Sequence, residues 1–195
     1  MYFEGADLDK VKTGMIVAFE SDGGFVNRRI ESYQRAIGFD VVASKITHVA
    51  VSMGGQYIIE ATFPKSKTSN LFIDHQGRKL HFLFYDDEAF RAEQRKNMTI
   101  WAATRCNLDY GWPALFGFYL TTILPIWKSN PLSSKRAPFC SYLVAWAMRR
   151  IGYDPWEGTA SNLITPAHIF ASELFPEIDV SRALRGGLSG RDGEC

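Results

Sequence analysis

The 195-residue chain has little cysteine: three residues, Cys106, Cys140 and Cys195, none in a C-x-x-C pair or at metal-ligand spacing. This scarcity excludes a disulfide framework and gives no zinc site, because both need clustered thiols. Net charge is nearly absent as well, with 22 Lys+Arg against 21 Asp+Glu giving +1. A protein that tracks a phosphate backbone carries a basic footprint, so nucleic acid is not an expected partner. The opening MYFEGADLDK has acids where a secretory leader has bases, and no apolar run follows. The expectation is a protein cytoplasmic as made, with release by lysis or incorporation into an assembly left open. Long hydrophobic runs are also missing. The most apolar stretch, 112–127 (WPALFGFYLTTILPIW), has 16 residues and is broken by Pro113, Gly117 and Pro125. A bilayer needs about 20, so the stretch reads as buried or interfacial structure, with contact to a membrane surface as an open role.

Apolar residues for a core are plentiful, at 46% hydrophobic and 14% aromatic. At roughly 100–200 residues per domain, one α+β domain over residues 1–184 is expected, with 185–195 (RGGLSGRDGEC) as a frayed tail. Lys12-Thr13-Gly14 turns the chain into a strand, Met15 to Glu20. Asn27 to Gly38 has apolar residues at helical spacing and ends in glycine. Ile46 to Thr62 (ITHVAVSMGGQYIIEAT) reads as a hairpin around Gly54-Gly55, which supply positive φ. LFID (71–74) and KLHFLFY (79–85) read as a further strand pair, and Asp87 to Cys106 as a helix. Pro138 stands where N1 prolines stand, so FCSYLVAWAMRRIG opens a helix with Cys140 in its first turn. Thr165-Pro166 starts a final short helix.

Three residues could do chemistry together. A thiol in a first helical turn faces unpaired backbone N–H groups and the positive end of the helix dipole, which favours a nucleophilic thiolate. Taken alone, Cys140 reads first as a small buried apolar residue, as free cysteines usually are. His48 is embedded in an apolar strand, where an imidazole needs a partner, and Glu60 lies twelve residues on in the partner strand. A carboxylate beside a histidine fixes its tautomer, the orienting role in a nucleophile–base–orienter set. Hairpin register decides whether they meet. A two-residue Gly54-Gly55 loop sets His48 opposite Ala61 and turns Glu60 to the other face, whereas a bulged Met53-Gly54-Gly55 loop sets His48 directly opposite Glu60. Sequence permits both. His75 in a turn and His168 at a helix start read as surface residues, and His81 as a packing residue. Cys106 and Cys195 read as spectators, and Lys135-Arg136 as a solvated loop, with substrate-carboxylate binding as a second reading.

The order of THVAVSMGGQYIIEA, a helix, Tyr-Gly, PFCSYLVAWAMRRIG and LITPAHI resembles the circularly permuted branch of the NlpC-type papain-like cysteine hydrolases, from about Lys12 to Leu174. The resemblance implies a papain-like antiparallel sheet packed on helices. It also implies a nucleophile at Cys140 in F-C-S-Y-L, a base at His48 in T-H-V-A-V and a third polar residue at Glu60 in I-I-E-A. Tyr110 matches a pocket tyrosine. Tyr142 stands where many members carry an acid, and is expected to shape the substrate pocket. The implied activity is hydrolysis of an amide bond, with short cell-wall peptides as the leading substrate and no cofactor. Two other readings stay open: acyl chemistry on lipids with the same machinery, and a catalytically idle binding or assembly module. Oligomeric state is not legible.

Overall fold

The computed structural model describes residues 7–85, 92–114, 117, 130–134 and 136–180. The frayed tail expected at 185–195 and most of the 112–127 segment lie outside them. Six strands form one antiparallel sheet: β1 Thr13–Glu20, β2 Ile46–Gly54, β3 Tyr57–Glu60, β4 Lys67–Asn70, β5 Leu80–Leu83 and β6 Glu177–Ile178, in the order β4-β3-β2-β1-β5-β6. The helices are α1 Phe25–Ala36, α2 Val41–Ser44, α3 Leu71–Asp74, α4 Ala92–Ala103, α5 Cys140–Arg150 and α6 Pro166–Phe170. The class is therefore α+β, as expected. Among the described residues no helix is long and apolar enough to cross a membrane.

Strand alternation sends apolar side chains to both faces. Ile16 and Ala18 of β1 join a cluster with Val49, Val51, Met98 and the apolar side of α5. Met15, Val17 and Phe19 join a second cluster with Ala50, Ile58, Leu71 and Phe82. Eight of the eleven residues of α5, from Cys140 to Met148, are buried, which marks it as the central helix and not a surface one. The Gln34 amide, fully buried, ties α1 to the sheet by donating to Ser44 O and Ile46 O at 2.9 Å and accepting from Ala167 N at 2.8 Å. α1 is thereby fixed over the start of β2.

Three local expectations need correction. Residues 71–74 are not a strand. Asn70 Oδ1 accepts from Phe72 N at 2.9 Å and Asp74 Oδ2 accepts from Asn70 N at 2.7 Å, and such side-chain bonds curl a short segment into a helical turn. The strand is the polar KTSN just before it, and β5 pairs instead with β1 and β6. Pro138 is not N1 of α5. Phe139 is the N-cap (φ −110°, ψ 170°), which places Cys140 itself at N1.

The hairpin takes a third register. Val51 faces Ile59 and Ser52 faces Ile58, then a bulge at Met53 brings Gly54 opposite Tyr57, with Gly54 at φ 96° and Gly55 at φ 61°. Tertiary contacts hold this turn. Gly55 N donates to Val11 O at 3.0 Å, and Thr13 Oγ1 donates to Met53 O at 3.0 Å. The register is two residues away from the one that sets His48 directly across from Glu60. A shift of two preserves the face, so the two side chains sit diagonally on the same side.

Candidate active site

Each member of the site arrives on a different element. His48 lies in β2 where alternation breaks: Ile46 and Val49, three residues apart, both join the first cluster, and the β1–β2 register slips between Phe19 and Glu20. The His48 ring packs on Phe19 of the second cluster, 5.1 Å between ring centroids. Its Nε2–H donates to Glu60 Oε2 at 2.6 Å. The Cys140 side chain lies close enough to the ring to act on its protonation. Glu60 occupies Nε2, which leaves Nδ1 as the nitrogen free for the thiol. Glu60, His48 and Cys140 thus form one chain of contacts, with Glu60 only 1% exposed.

The Glu60 carboxylate has two further partners. Ser69 Oγ from β4 and His75 Nε2 both donate to Oε1, at 2.5 Å and 3.0 Å. A buried carboxylate needs such donors to stay charged. Burial alone would raise the Glu60 pKa, but the hydrogen bonds from His48 and His75 outweigh it and hold the group well below the ordinary carboxylate range. Burial would likewise lower the His48 pKa, and the hydrogen bonds to Cys140 and Glu60 outweigh it and raise the value to about 9. The site therefore keeps an anion at Glu60 and holds a proton on His48.

His75 is a correction to the reading of a surface histidine. It is 8% exposed, packs on Phe19 at 4.6 Å between centroids, and holds the far oxygen of Glu60. Nothing in the turn sequence IDHQGR points inward. α3 carries it there, because the helical turn at Leu71–Asp74 anchors on fully buried Leu71 and reverses the chain toward the sheet. Ser69 was equally invisible, as one hydroxyl in a polar tetrapeptide.

A cavity of about 260 Å³ opens beside the site, lined by His48, Glu60, His75 and Tyr110 together with residues of α1. Tyr110 is held there because Gly111 lies against the chain before Cys140: Gly111 N donates to Pro138 O at 3.1 Å, and a Cβ at Gly111 would strike the Ala137 carbonyl. Burial, with the Cys140 and Glu60 charges nearby, pushes the Tyr110 pKa well above its usual value, so the phenol stays neutral. Tyr142 does not line the cavity. It is packed with Tyr33, Ala114 and Phe139 at 7% exposure. At about 100° per helical residue, a side chain two positions after Cys140 points to nearly the opposite side, which corrects the expected pocket role.

The remaining candidates have structural roles. His168 completes a capping box with Thr165 at the start of α6. Burial pushes the Cys106 thiol up, only partly offset by a hydrogen bond with Thr68. Among the described residues no cluster of side chains could hold a metal ion. No protein-family model matches the chain, and no curated protein matches it.

The arrangement can do one thing directly. The thiol sits at N1 of α5, where the N–H groups of the first turn have no intrahelical partner. A developing negative charge at an attacked carbonyl would find those donors pre-aimed.

Proposed function

We propose that the protein is a cysteine hydrolase of the permuted papain-like type that cleaves an amide bond, with short cell-wall-type peptides as the leading substrate. The observation that carries this reading is His48, hydrogen-bonded to buried Glu60 and acted on by the Cys140 side chain at a helix start. In the proposed reaction Cys140 Sγ forms a bond to the carbonyl carbon while its proton resides on His48. The oxyanion is met by the Cys140 backbone N–H. Collapse breaks the C–N bond, and His48 gives its proton to the leaving amine. Water then attacks the thioester carbon and passes a proton to His48. The C–S bond breaks, the acid product leaves, and the proton returns to sulfur. Glu60 stabilises the imidazolium throughout.

A second reading keeps the machinery and changes the substrate to a lipid acyl group. It is favoured by the apolar rim of the cavity, where Phe63 is 65% exposed and Trp112 36% exposed, because exposed apolar patches beside a cavity mark docking surfaces. Co-sedimentation with anionic and neutral liposomes separates the two: the peptidase reading expects the protein to stay in the supernatant.

A thiol-reactive probe applied near pH 6, followed by peptide mapping, tests the shared machinery. Cys140 should be labelled far faster than Cys106, because a histidine beside the sulfur can take its proton, whereas burial holds the Cys106 thiol protonated. Equal rates at the two cysteines would end the hydrolase reading and leave a binding module.

A further inference from the structure

The cavity has an apolar rim, and the sulfur near it is enclosed. Val26 and Ile30 of α1 line part of the cavity, and Phe63 and Trp112 line another part. The two aromatic rings meet edge to face, 5.9 Å between centroids, and both stay exposed. A two-stranded strap holds them: Tyr110 N donates to Pro64 O at 2.9 Å, Ser66 N to Leu108 O at 2.9 Å and Asn107 N to Ser66 O at 2.7 Å. Large apolar side chains fixed in water cost hydrophobic free energy that an apolar occupant recovers. Cys140, by contrast, is only 4% exposed. Tyr110 is close enough to feel its charge, and Gly111 packs on Ala137 just before the helix. A substrate carbonyl brought to so enclosed a sulfur leaves little room for a side chain on its own residue, and glycine has none.

One segment of the chain itself meets both requirements. Residues 181–187 read SRALRGG, with Leu184 three positions before Gly187. Of the three Gly-Gly pairs in the sequence, Gly23-Gly24 leads into α1 and Gly54-Gly55 forms the β2–β3 turn, so both are committed to the fold. Gly186-Gly187 lies past the last described residue, Val180. Val180 is fully buried in the cluster that contains Phe19, the ring on which His48 and His75 pack, and its carbonyl accepts from Asp7 N at 2.6 Å. Residues 181–195 therefore start from the body that carries the site. The seven steps from Val180 to Gly187 reach about 23 Å at roughly 3.3 Å each, departing from a cluster whose Phe19 ring is itself 5.1 Å from His48.

We propose that the protein cleaves its own chain after Gly187, with Leu184 seated among Val26, Ile30, Phe63 and Trp112 and Gly186-Gly187 passing to the sulfur. This rests on the cysteine-hydrolase reading and gives it a substrate class, a glycine pair preceded by a large apolar residue. Cys140 Sγ bonds to the Gly187 carbonyl carbon, the Gly187–Leu188 C–N bond breaks, and the proton on His48 goes to the Leu188 nitrogen. Water then hydrolyses the thioester, which returns the proton to sulfur and leaves residues 1–187 with a new carboxylate at Gly187. Residues 188–195 depart as a free peptide. A shallow apolar seat suffices, because a tethered segment is presented at an effective concentration on the order of millimolar.

Intact-mass measurement on the full chain, incubated near neutral pH, reads the cut directly. The wild type should lose the mass of residues 188–195, and Cys140→Ala should keep it. Gly187→Val should slow the loss about a hundredfold, and Leu184→Asp and Phe63→Ala about tenfold each. Cleavage that persists in Cys140→Ala, or that Gly187→Val leaves unmoved, overturns the proposal. A wild type that keeps its full mass while a thiol probe labels Cys140 far faster than Cys106 also overturns it, and the hydrolase reading stands. Full mass with Cys140 no more reactive than Cys106 is the failure of the hydrolase reading itself, and the proposal falls with it. The seat has a readout that needs no turnover. In the uncleaved Cys140→Ala chain, adding Leu184→Asp should move the Trp112 indole N–H resonance, because it empties the apolar part of the cavity, and an unmoved resonance overturns the proposal.

Discussion

The sheet carries two strand histidines paired with acids, and they differ in what their second nitrogen can do. His81 in β5 gives Nε2 to Glu20 at 3.0 Å and Nδ1 to Glu177 at 2.8 Å, so both ring nitrogens are spent on carboxylates. The acids stay wet, with side chains 22% and 51% exposed, and Lys79 shares Glu20 at 2.6 Å. His48 in β2 gives only Nε2 to a carboxylate, and that carboxylate is shielded at 1% exposure. Its other nitrogen is left free of carboxylates, with the Cys140 side chain close enough to act on the ring. A histidine and an acid therefore make a clip, and they make a base only when one nitrogen remains for a nucleophile and the acid is too buried to be screened.

Deleting the two ends of the active chain gives the largest expected contrast. Cys140→Ala and His48→Ala should each abolish turnover of any substrate the wild type hydrolyses, and the double variant should be no worse than either single, as members of one unit fail together. His81→Ala, with both nitrogens already spent, should retain wild-type kcat. Loss of activity in His81→Ala without unfolding would break the comparison.

Glu60→Gln comes next. The amide still accepts from His48 but carries no charge, so kcat should fall on the order of 10²–10⁴-fold while a residue of activity persists. Steady-state assays with a pH profile separate this from simple damage, since His48 should then titrate at lower pH than in the wild type. His75→Asn should cost about tenfold in kcat by loosening Glu60, a second-layer effect on the oriented acid, and it should move the same pH profile in the same direction.

The two clusters should also differ in how stability depends on pH. The folded His48 pKa is about 9 against an ordinary 6.5. Protonated His48 thus favours the fold, a contribution fully present below about pH 6.5 and lost as pH rises through about 9. The depressed Glu60 group works in the other direction, contributing above the ordinary carboxylate pKa and losing that contribution as the solution becomes strongly acid. Thermal melts from pH 6.5 to 9 should fall in the wild type and flatten in His48→Ala. The smallest effect is expected at the wet clip, where Glu177→Gln should change stability by about 1 kcal/mol or less in a urea titration.

Local signals made much of this legible. Strand β1, helix α1, the hairpin, the Cys140 helix and the Thr165 cap all follow from periodicity, glycine placement and capping chemistry, because those depend on neighbours along the chain. Errors fell where another signal, local or distant, outweighed the one that was read. LFID reads as a strand by apolar content, yet Asn70 and Asp74 wind it. Tyr142 reads as a pocket residue by resemblance, yet helical geometry turns it into the cluster with Tyr33 and Phe139. His75 reads as exposed because only α3 and Phe19 make it otherwise.

By itself the sequence determined a thiol at a helix start, a histidine and a glutamate on neighbouring strands, a net charge of only +1, and no cysteine cluster or apolar run of membrane-spanning length. The hairpin register was left to the tertiary structure. Gly54-Gly55 allows several tight turns of similar energy, and the choice came from Val11 and Thr13 gripping the turn. The folded chain also decided what surrounds the triad: Ser69 and His75 on Glu60, Arg78 on Phe19, and Tyr110 beside the start of α5. Those residues lie up to dozens of positions from His48. No period or motif links them; the Glu60 carboxylate and the Phe19 ring gather Ser69, His75 and Arg78, and the close packing of Gly111 on Ala137 sets Tyr110.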